Sequence, residues 1–390
     1  MLGQIARFTN KLIADHSAHP REIAFAAQDD IIVADGNPEL ARLAGELLSR
    51  LSCLGMAVAR PALPFADFLV ARTPRDESHI VPRDTETRTF LHDIPFLRRG
   101  ALGDDPAAKI ARLLGNRKGI IVEGTGIVAS GALTVEQAYI NWSSIFHSAF
   151  VKYLQDVLHG GFLLPGEAEA FDAFRRGWLR PLTAEGLVFR EGPLTDPGEI
   201  LDEIAAVGRY TVERGLVDSF FGNISCKSGG VIYISQTAAS LDALDGCIDP
   251  VPTDNSSTFG ITASSELLAH RRIYEQSGAS TILHGHPKFA VVMSMECAER
   301  NCTVTDCWKD CDRVRFLGDT PVVAGEIGAG GLAKRVPPVI AGPRKAVVYG
   351  HGVFTVGERG FGDAFRSMVE VENWCRDAYF RALEGKLAKG

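Results

Sequence analysis

The sequence predicts an α/β protein in which helices layer on a mostly antiparallel central sheet, built as two tandem copies of one domain. Three observations carry this. The chain has 390 residues, 46% apolar and 23% charged, which suits two domains with ordinary cores. Strand-like and helix-like patterns mix without strict βαβ alternation, which points to antiparallel pairing. The chain also repeats itself.

The repeat is visible in three blocks. Residues 344–357 read RKAVVYGHGVFTVG and residues 117–131 read RKGIIVEGTGIVASG. Each is a basic pair, a buried-strand pattern, a glycine-flanked turn, a second apolar stretch and a glycine. A helical pattern follows each, with Ala364 and Ala138 in matching places. Upstream, FLGDTPVVAG at 316–325 matches FLHDIPFLRRG at 90–100, aligning Asp319 with Asp93 and Pro321 with Pro95. Further upstream, HPKFAVVMSM at 286–295 matches ALPFADFLVA at 62–71 more weakly. On this alignment His351 falls on Thr125, His286 on Ala62 and His284 on Arg60. Residues 1–160 are therefore expected to form a degenerate copy without a metal-ligand set. Residues 161–195 are rich in Gly and Pro around a short helical pattern and read as a linker. Residues 196–390 form the complete copy.

Within that copy, Ile200, Ile204, Val207 and Tyr210 share a face and predict a helix over about 198–214. Strands are expected near 222–227 and 230–235, then a helix over 264–276 and a strand over 280–285. A strand pair around 346–356 and a terminal helix over 361–384 complete the series.

The formal net charge of −7 leaves no basic footprint for nucleic acid. An anion would have to bind at a local site of N–H groups, basic side chains or a metal. The first residues show no uninterrupted apolar core, so no signal peptide is expected. No apolar run reaches the ~18–20 residues of a membrane span, and a cytoplasmic location is expected. Eight cysteines suit a reducing compartment. Four of them, Cys297, Cys302, Cys307 and Cys311, are spaced C-x4-C-x4-C-x3-C. This matches no standard zinc or iron–sulfur pattern, and they read as free or buried thiols, with a second metal site or a redox-sensitive patch as the alternatives.

The chemistry concentrates in five short segments. In TILHGH, His284 and His286 stand two apart on a strand and project from one face, which suits two ligands on one metal. His351 follows a buried β run between glycines, where the backbone can approach a ligand closely. Three histidines with a vacant fourth position are a catalytic zinc pattern. In Ala263-Ser264-Ser265-Glu266 the serines read as a helix N-cap and equally as an anion site, with Glu266 in the first turn. In Phe221-Gly222-Asn223-Ile224-Ser225 and Ser235-Gln236-Thr237, amide and hydroxyl groups at strand ends read as turns or as donors to an anion.

Together and in this order, GLVDSFFGNIS, ITASSELLAHRRIY, ASTILHGHPKFAVV and KAVVYGHGVFTVG resemble the class II aldolase/adducin family, of the fuculose- and rhamnulose-phosphate aldolase type. The resemblance covers 198–384, and 25–158 more weakly. It implies a class II aldolase-like fold and Zn²⁺ or another divalent metal on His284, His286 and His351. It implies Glu266 as the catalytic acid/base, and Asn223, Thr237, Ser264 and Ser265 as the site for a substrate phosphate. His270 fits the family helix, in a packing role. The implied reaction makes or breaks a carbon–carbon bond beside a ketone in a small phosphorylated sugar, through a metal-stabilised enediolate. A pentulose-phosphate 4-epimerase, a dehydratase or decarboxylase, and a non-catalytic adducin-like scaffold are the alternatives. A homo-oligomer is expected, with a dimer of two-domain chains mimicking a fourfold ring.

Two features depart from the family pattern. The family places a proton-donating tyrosine between the His-x-His strand and FLGDTPVV. Here that stretch is CAERNCTVTDCWKDCDRVR, which has no tyrosine and offers Asp306, Trp308, Lys309 or Asp310 instead. The glycine expected after Thr237 is Ala238.

Overall fold

The computed structural model describes residues 1–218, 220–299, 301–325 and 329–388. They divide into two compact units, Met1–Arg180 and Pro181–Gly390. The division falls inside the stretch read as a linker. That stretch also carries a helix, Glu167–Gly177, whose Phe171 and Phe174 pack on Tyr153 and Phe150.

The first unit holds strands β1 (Ala18–Gln28), β2 (Ile32–Gly36), β3 (Gly55–Pro61), β4 (His79–Ile80), β5 (Ile94–Leu97), β6 (Gly119–Val122) and β7 (Gly126–Gly131). They form one sheet in the order β2-β1-β3-β7-β6-β5-β4. Only β5 and β6 pair in parallel. The second unit holds β8 (Asn223–Ser228), β9 (Val231–Ser235), β10 (Ile248–Pro252), β11 (Thr281–Gly285), β12 (Arg315–Leu317), β13 (Thr320–Val323), β14 (Lys345–Val348) and β15 (Gly352–Gly357). Their order is β10-β9-β8-β11-β15-β14-β13-β12, and here β13 and β14 are the parallel pair. With β10 set aside as an extra edge strand, the two orders are the same. Both units are mixed α/β layers around a mostly antiparallel sheet, as the sequence predicts.

Alternation along the strands makes the layers. In the first unit Met56, Val58, Ile120, Val122 and Val128 pack with Ala44, Leu47 and Leu48 of the helix Pro38–Arg50. The alternate residues, such as Ala57 and Ala59, face the other way, where Trp142 of the helix Val135–Gly160 donates to the Ala59 carbonyl at 3.1 Å. In the second unit Ile232, Ile234, Ile282, Val348, Phe354 and Val356 pack with Ala269, Ile273 and Tyr274 of the helix Leu267–Ser277. The long helix Phe361–Leu387 contributes Ala364, Phe365 and Met368 to the core. No described helix is long and apolar enough to cross a membrane.

The sheet register corrects the alignment of the repeats. His284 pairs with Phe354, and Val58 pairs with Val128. Gly352 and Gly126 hold matching places at the starts of β15 and β7. A Cβ on either would collide with a backbone carbonyl across the strand pair, that of Gly285 or of Ala59. His284 therefore corresponds to Val58 and His286 to Arg60, while His351 stays on Thr125. The helices that follow, Lys288–Ser294 and Phe65–Arg72, do match as HPKF and ALPF suggest. The connection before the helix is two residues longer in the first unit, which is what displaced the strand alignment.

Candidate metal centre

β11 delivers His284 from its interior and His286 just past its end, while the β14–β15 turn delivers His351. Gly352 makes the approach possible, because a Cβ there would also crowd the rings of His284 and His286. Gly222 plays a similar part before β8: its φ is +76°, and a Cβ would collide with the His284 carbonyl. His284 and His286 are buried and His351 is half-buried.

The three Nε2 atoms converge. His284 Nε2 lies 3.0 Å from His286 Nε2 and 3.2 Å from His351 Nε2. Among the described residues, these form the one group of three or more whose metal-ligand atoms all lie within 4.8 Å of one another. His284 Nδ1 lies 3.0 Å from the Val353 carbonyl, which only accepts, so Nδ1 carries the hydrogen and Nε2 carries the lone pair. A tetrahedral zinc site with Zn–N of ~2.0–2.1 Å separates its nitrogens by about 3.3 Å, close to what is seen here. The donor set fits a divalent cation. Phe354 stacks on His284 with centroids 3.9 Å apart, and Phe221 stacks on His286 at 5.4 Å. Burial pushes the His284 imidazole down to about 4, so it is uncharged and able to ligate at neutral pH.

Glu266 closes the site. Its Oε1 lies 3.3 Å from His351 Nε2 and its Oε2 lies 3.5 Å from His284 Nε2. Burial works to raise this carboxyl, but His284, His351 and the hydrogen bond from Asn223 outweigh it and hold it well below the usual range. The helix starts at Leu267, later than the sequence pattern implied, which places Glu266 at the N-cap position. Its side chain does not cap; it turns to the histidines.

The remaining predicted site residues gather around Glu266. Ser264 is buried, and its Oγ accepts from the Glu266 N–H at 3.3 Å. Thr237 donates to the Ala263 carbonyl at 2.9 Å, across a bridge between Gln236 and Ala263. Thr237 and Ser265 are exposed. Asn223 is buried, and its Nδ2 donates to Glu266 Oε2 at 2.8 Å. Ala238 has a φ of +58°, so the turn keeps the left-handed backbone that favours glycine.

Sequence reasoning took Ser225 as part of a turn or anion-donor segment, left out Tyr274, and assigned His270 to packing. The structure joins all three to Asn223. His270 Nε2 lies 2.5 Å from Asn223 Oδ1, His270 Nδ1 lies 2.7 Å from Ser225 Oγ, and Ser225 Oγ lies 2.7 Å from the Tyr274 hydroxyl. All of these side chains are buried. Their signal in the sequence was periodicity: Glu266, His270 and Tyr274 recur every four residues on one helix face, and Ser225 alternates with Asn223 on β8.

The four clustered cysteines are free thiols lining one cavity of about 570 Å³. Lys309 forms ion pairs with Asp306 at 3.7 Å and Asp310 at 3.9 Å, with Asp310 exposed and the other two half-buried.

Residues 202–379 match the family model described as the class II aldolase and adducin N-terminal domain. This segment belongs to the class II aldolase/adducin family. A stretch of 104 residues is 28% identical to the 3-oxo-tetronate 4-phosphate decarboxylase of Cupriavidus necator, covering 26% of this chain and 48% of that protein. The chain thus spans about half the length of that relative. Among solved structures, the L-fuculose-1-phosphate aldolase from Thermus thermophilus is similar at 23% identity and a TM-score of 0.38, covering 46% of this chain and 92% of that one. YgbL from Klebsiella pneumoniae, a putative aldolase/epimerase/decarboxylase, is similar at 22% identity and a TM-score of 0.39, covering 48% of this chain and 91% of that one.

Proposed function

We propose that this chain is a divalent-metal-dependent carbon–carbon lyase acting on a small phosphorylated sugar, with zinc on His284, His286 and His351. The observation that carries this reading is the convergence of three imidazole Nε2 atoms beside one half-buried carboxylate. The bound ion supplies Lewis acidity, spreading the negative charge left when a bond beside a ketone breaks. Glu266 holds or delivers the proton at the carbon that carries this charge. Asn223, Thr237, Ser264 and Ser265 lie together around Glu266 as donors for the phosphate, which the protein would recognise without a formal positive charge. Gly352 and Gly222 hold the backbones close enough for the histidines to meet.

Aldol cleavage is the first reading. Decarboxylation is the second, favoured by the decarboxylase relative and by the missing tyrosine. In cleavage an aldehyde leaves only as its hydroxyl passes a proton to a nearby group, the same group that protonates the aldehyde oxygen when the bond is formed, whereas carbon dioxide leaves from a carboxylate that has no proton to pass on. Both reactions yield dihydroxyacetone phosphate, from a ketose 1-phosphate or from a 3-oxo-tetronate 4-phosphate. One probe therefore tests the shared step. Metal-loaded protein should exchange a hydrogen of dihydroxyacetone phosphate, at the carbon beside the ketone, with solvent deuterium. Substoichiometric metal in well-folded protein, or no exchange by the metal-loaded form, defeats the reading. Aldehyde release from ketose 1-phosphates against carbon dioxide release from the keto acid separates the two reactions. A cytoplasmic dimer of two-domain chains belongs to the same proposal, and a monomer by light scattering would remove the dimer from it.

A further inference from the structure

The chain of buried hydrogen bonds behind Glu266 has only one consistent direction. The Glu266 carboxylate accepts, so Asn223 must present its Nδ2 to Oε2, as it does at 2.8 Å. That turns Asn223 Oδ1 toward His270. An amide oxygen only accepts, so His270 Nε2 carries the hydrogen of that bond. A neutral imidazole has one N–H, and burial pushes His270 down to about 3. His270 Nδ1 is therefore an acceptor and takes the hydrogen of Ser225. Ser225 Oγ is left to accept from Tyr274. Burial holds the Tyr274 phenol well above its ordinary range, so it remains a donor. Every group has one role, and all the donors point toward Glu266.

We propose that His270 is a positioning residue for Glu266. Acting through Asn223, it ties Oε2 as a fixed acceptor and leaves Oε1, the oxygen 3.3 Å from His351 Nε2, to move the proton. Ser225 and Tyr274 select its tautomer. The hydrogen bonds of these three side chains run to Asn223 and to one another and not to the histidine ligands, so they act by orientation. A carboxylate free to rotate would present either oxygen in several poses, and proton transfer depends on one geometry. Comparable hydrogen-bonded partners behind metal-site residues are worth roughly 10–100-fold in activity.

This inference rests on Glu266 being the acid/base residue, and the test separates the two claims. Zinc-loaded wild type, His270→Phe, His270→Gln and Tyr274→Phe are compared for zinc content and for deuterium exchange into dihydroxyacetone phosphate. The expected result for His270→Phe is unchanged zinc, a KM within about 3-fold, and a kcat lower by roughly 10–100-fold. His270→Gln, which keeps one donor and one acceptor, should recover most of that loss, and Tyr274→Phe should lose less. Full activity in His270→Phe, or a loss that His270→Gln does not recover, overturns the proposal. If wild type shows no exchange, the lyase reading fails by itself, and nitrogen NMR of histidine-labelled protein still decides the network. His270 should be the Nε2–H tautomer, and an Nδ1–H tautomer overturns the proposal.

Discussion

The two units share one strand order and differ at every polar position of the site. On the β-sheet face that carries His284, Asn223 and Ser225 in the second unit, the first unit has Val58, Ala24 and Ala26. Val58 and Ala26 belong to an ordinary apolar core. Where His286 stands, the first unit has Arg60, paired with Glu22 at 3.3 Å and Asp67 at 3.7 Å. The helix start differs as well. Asn37 caps Pro38–Arg50 by accepting from Glu39 and Leu40, whereas Glu266 at the same place gives up capping and faces the histidines. A cap of that kind is worth about 1 kcal/mol. The first unit holds the same strand order without the polar cluster, and the proposed function assigns the cluster in the second unit to chemistry rather than to folding.

The comparison can be broken from its strongest side first. Replacing His284, His286 or His351 by Ala should remove stoichiometric zinc and abolish turnover, with metal analysis and the exchange assay as readouts. Folding of the first unit should be untouched, since it already lacks these residues. Glu266→Gln should keep the metal and lower kcat by about 10²–10⁴-fold, the range for a general acid/base.

Smaller effects sharpen the comparison from the other side. Val58→His puts an imidazole where Ala24 and Ala26 offer no partner, and should destabilise the first unit by roughly 1–3 kcal/mol in denaturant unfolding. The buried His270 gives a pH signature. Its folded pKa, about 3, lies below the unfolded value of 6.5, so the unfolded chain binds the extra proton between these values. The stability of metal-free wild type should fall relative to His270→Phe by about 1.4 kcal/mol per pH unit as the pH drops from about 6.5. A gap independent of pH would show that His270 is not buried as a neutral ring. Ala238→Gly removes the cost of a left-handed alanine and should stabilise by about 1 kcal/mol, visible as a higher Tm.

Much of this was legible in one chain of letters, because the cues were local. His-x-His on a strand puts two imidazoles on one face by alternation alone, and the structure brings their Nε2 atoms to 3.0 Å. The repeat was legible because glycines recur where strands touch, as Gly126 and Gly352 do. The strand alignment slipped by two residues, because the connection between strand and helix differs in length between the units while the elements on either side of it match. Only the register, set by hydrogen bonds to β7 and β15, recovers it.

The sequence by itself determined the layered fold, the duplication and the residue types that can hold a metal. Each depends on neighbours within a few positions or on periodicity along one element. The tertiary structure alone decided that Asn223 serves Glu266 and that His270 is tied to Asn223 and to Ser225 rather than simply packed. These contacts join residues more than forty positions apart. Their directions follow from burial, which removes water as an alternative partner and leaves each donor one acceptor.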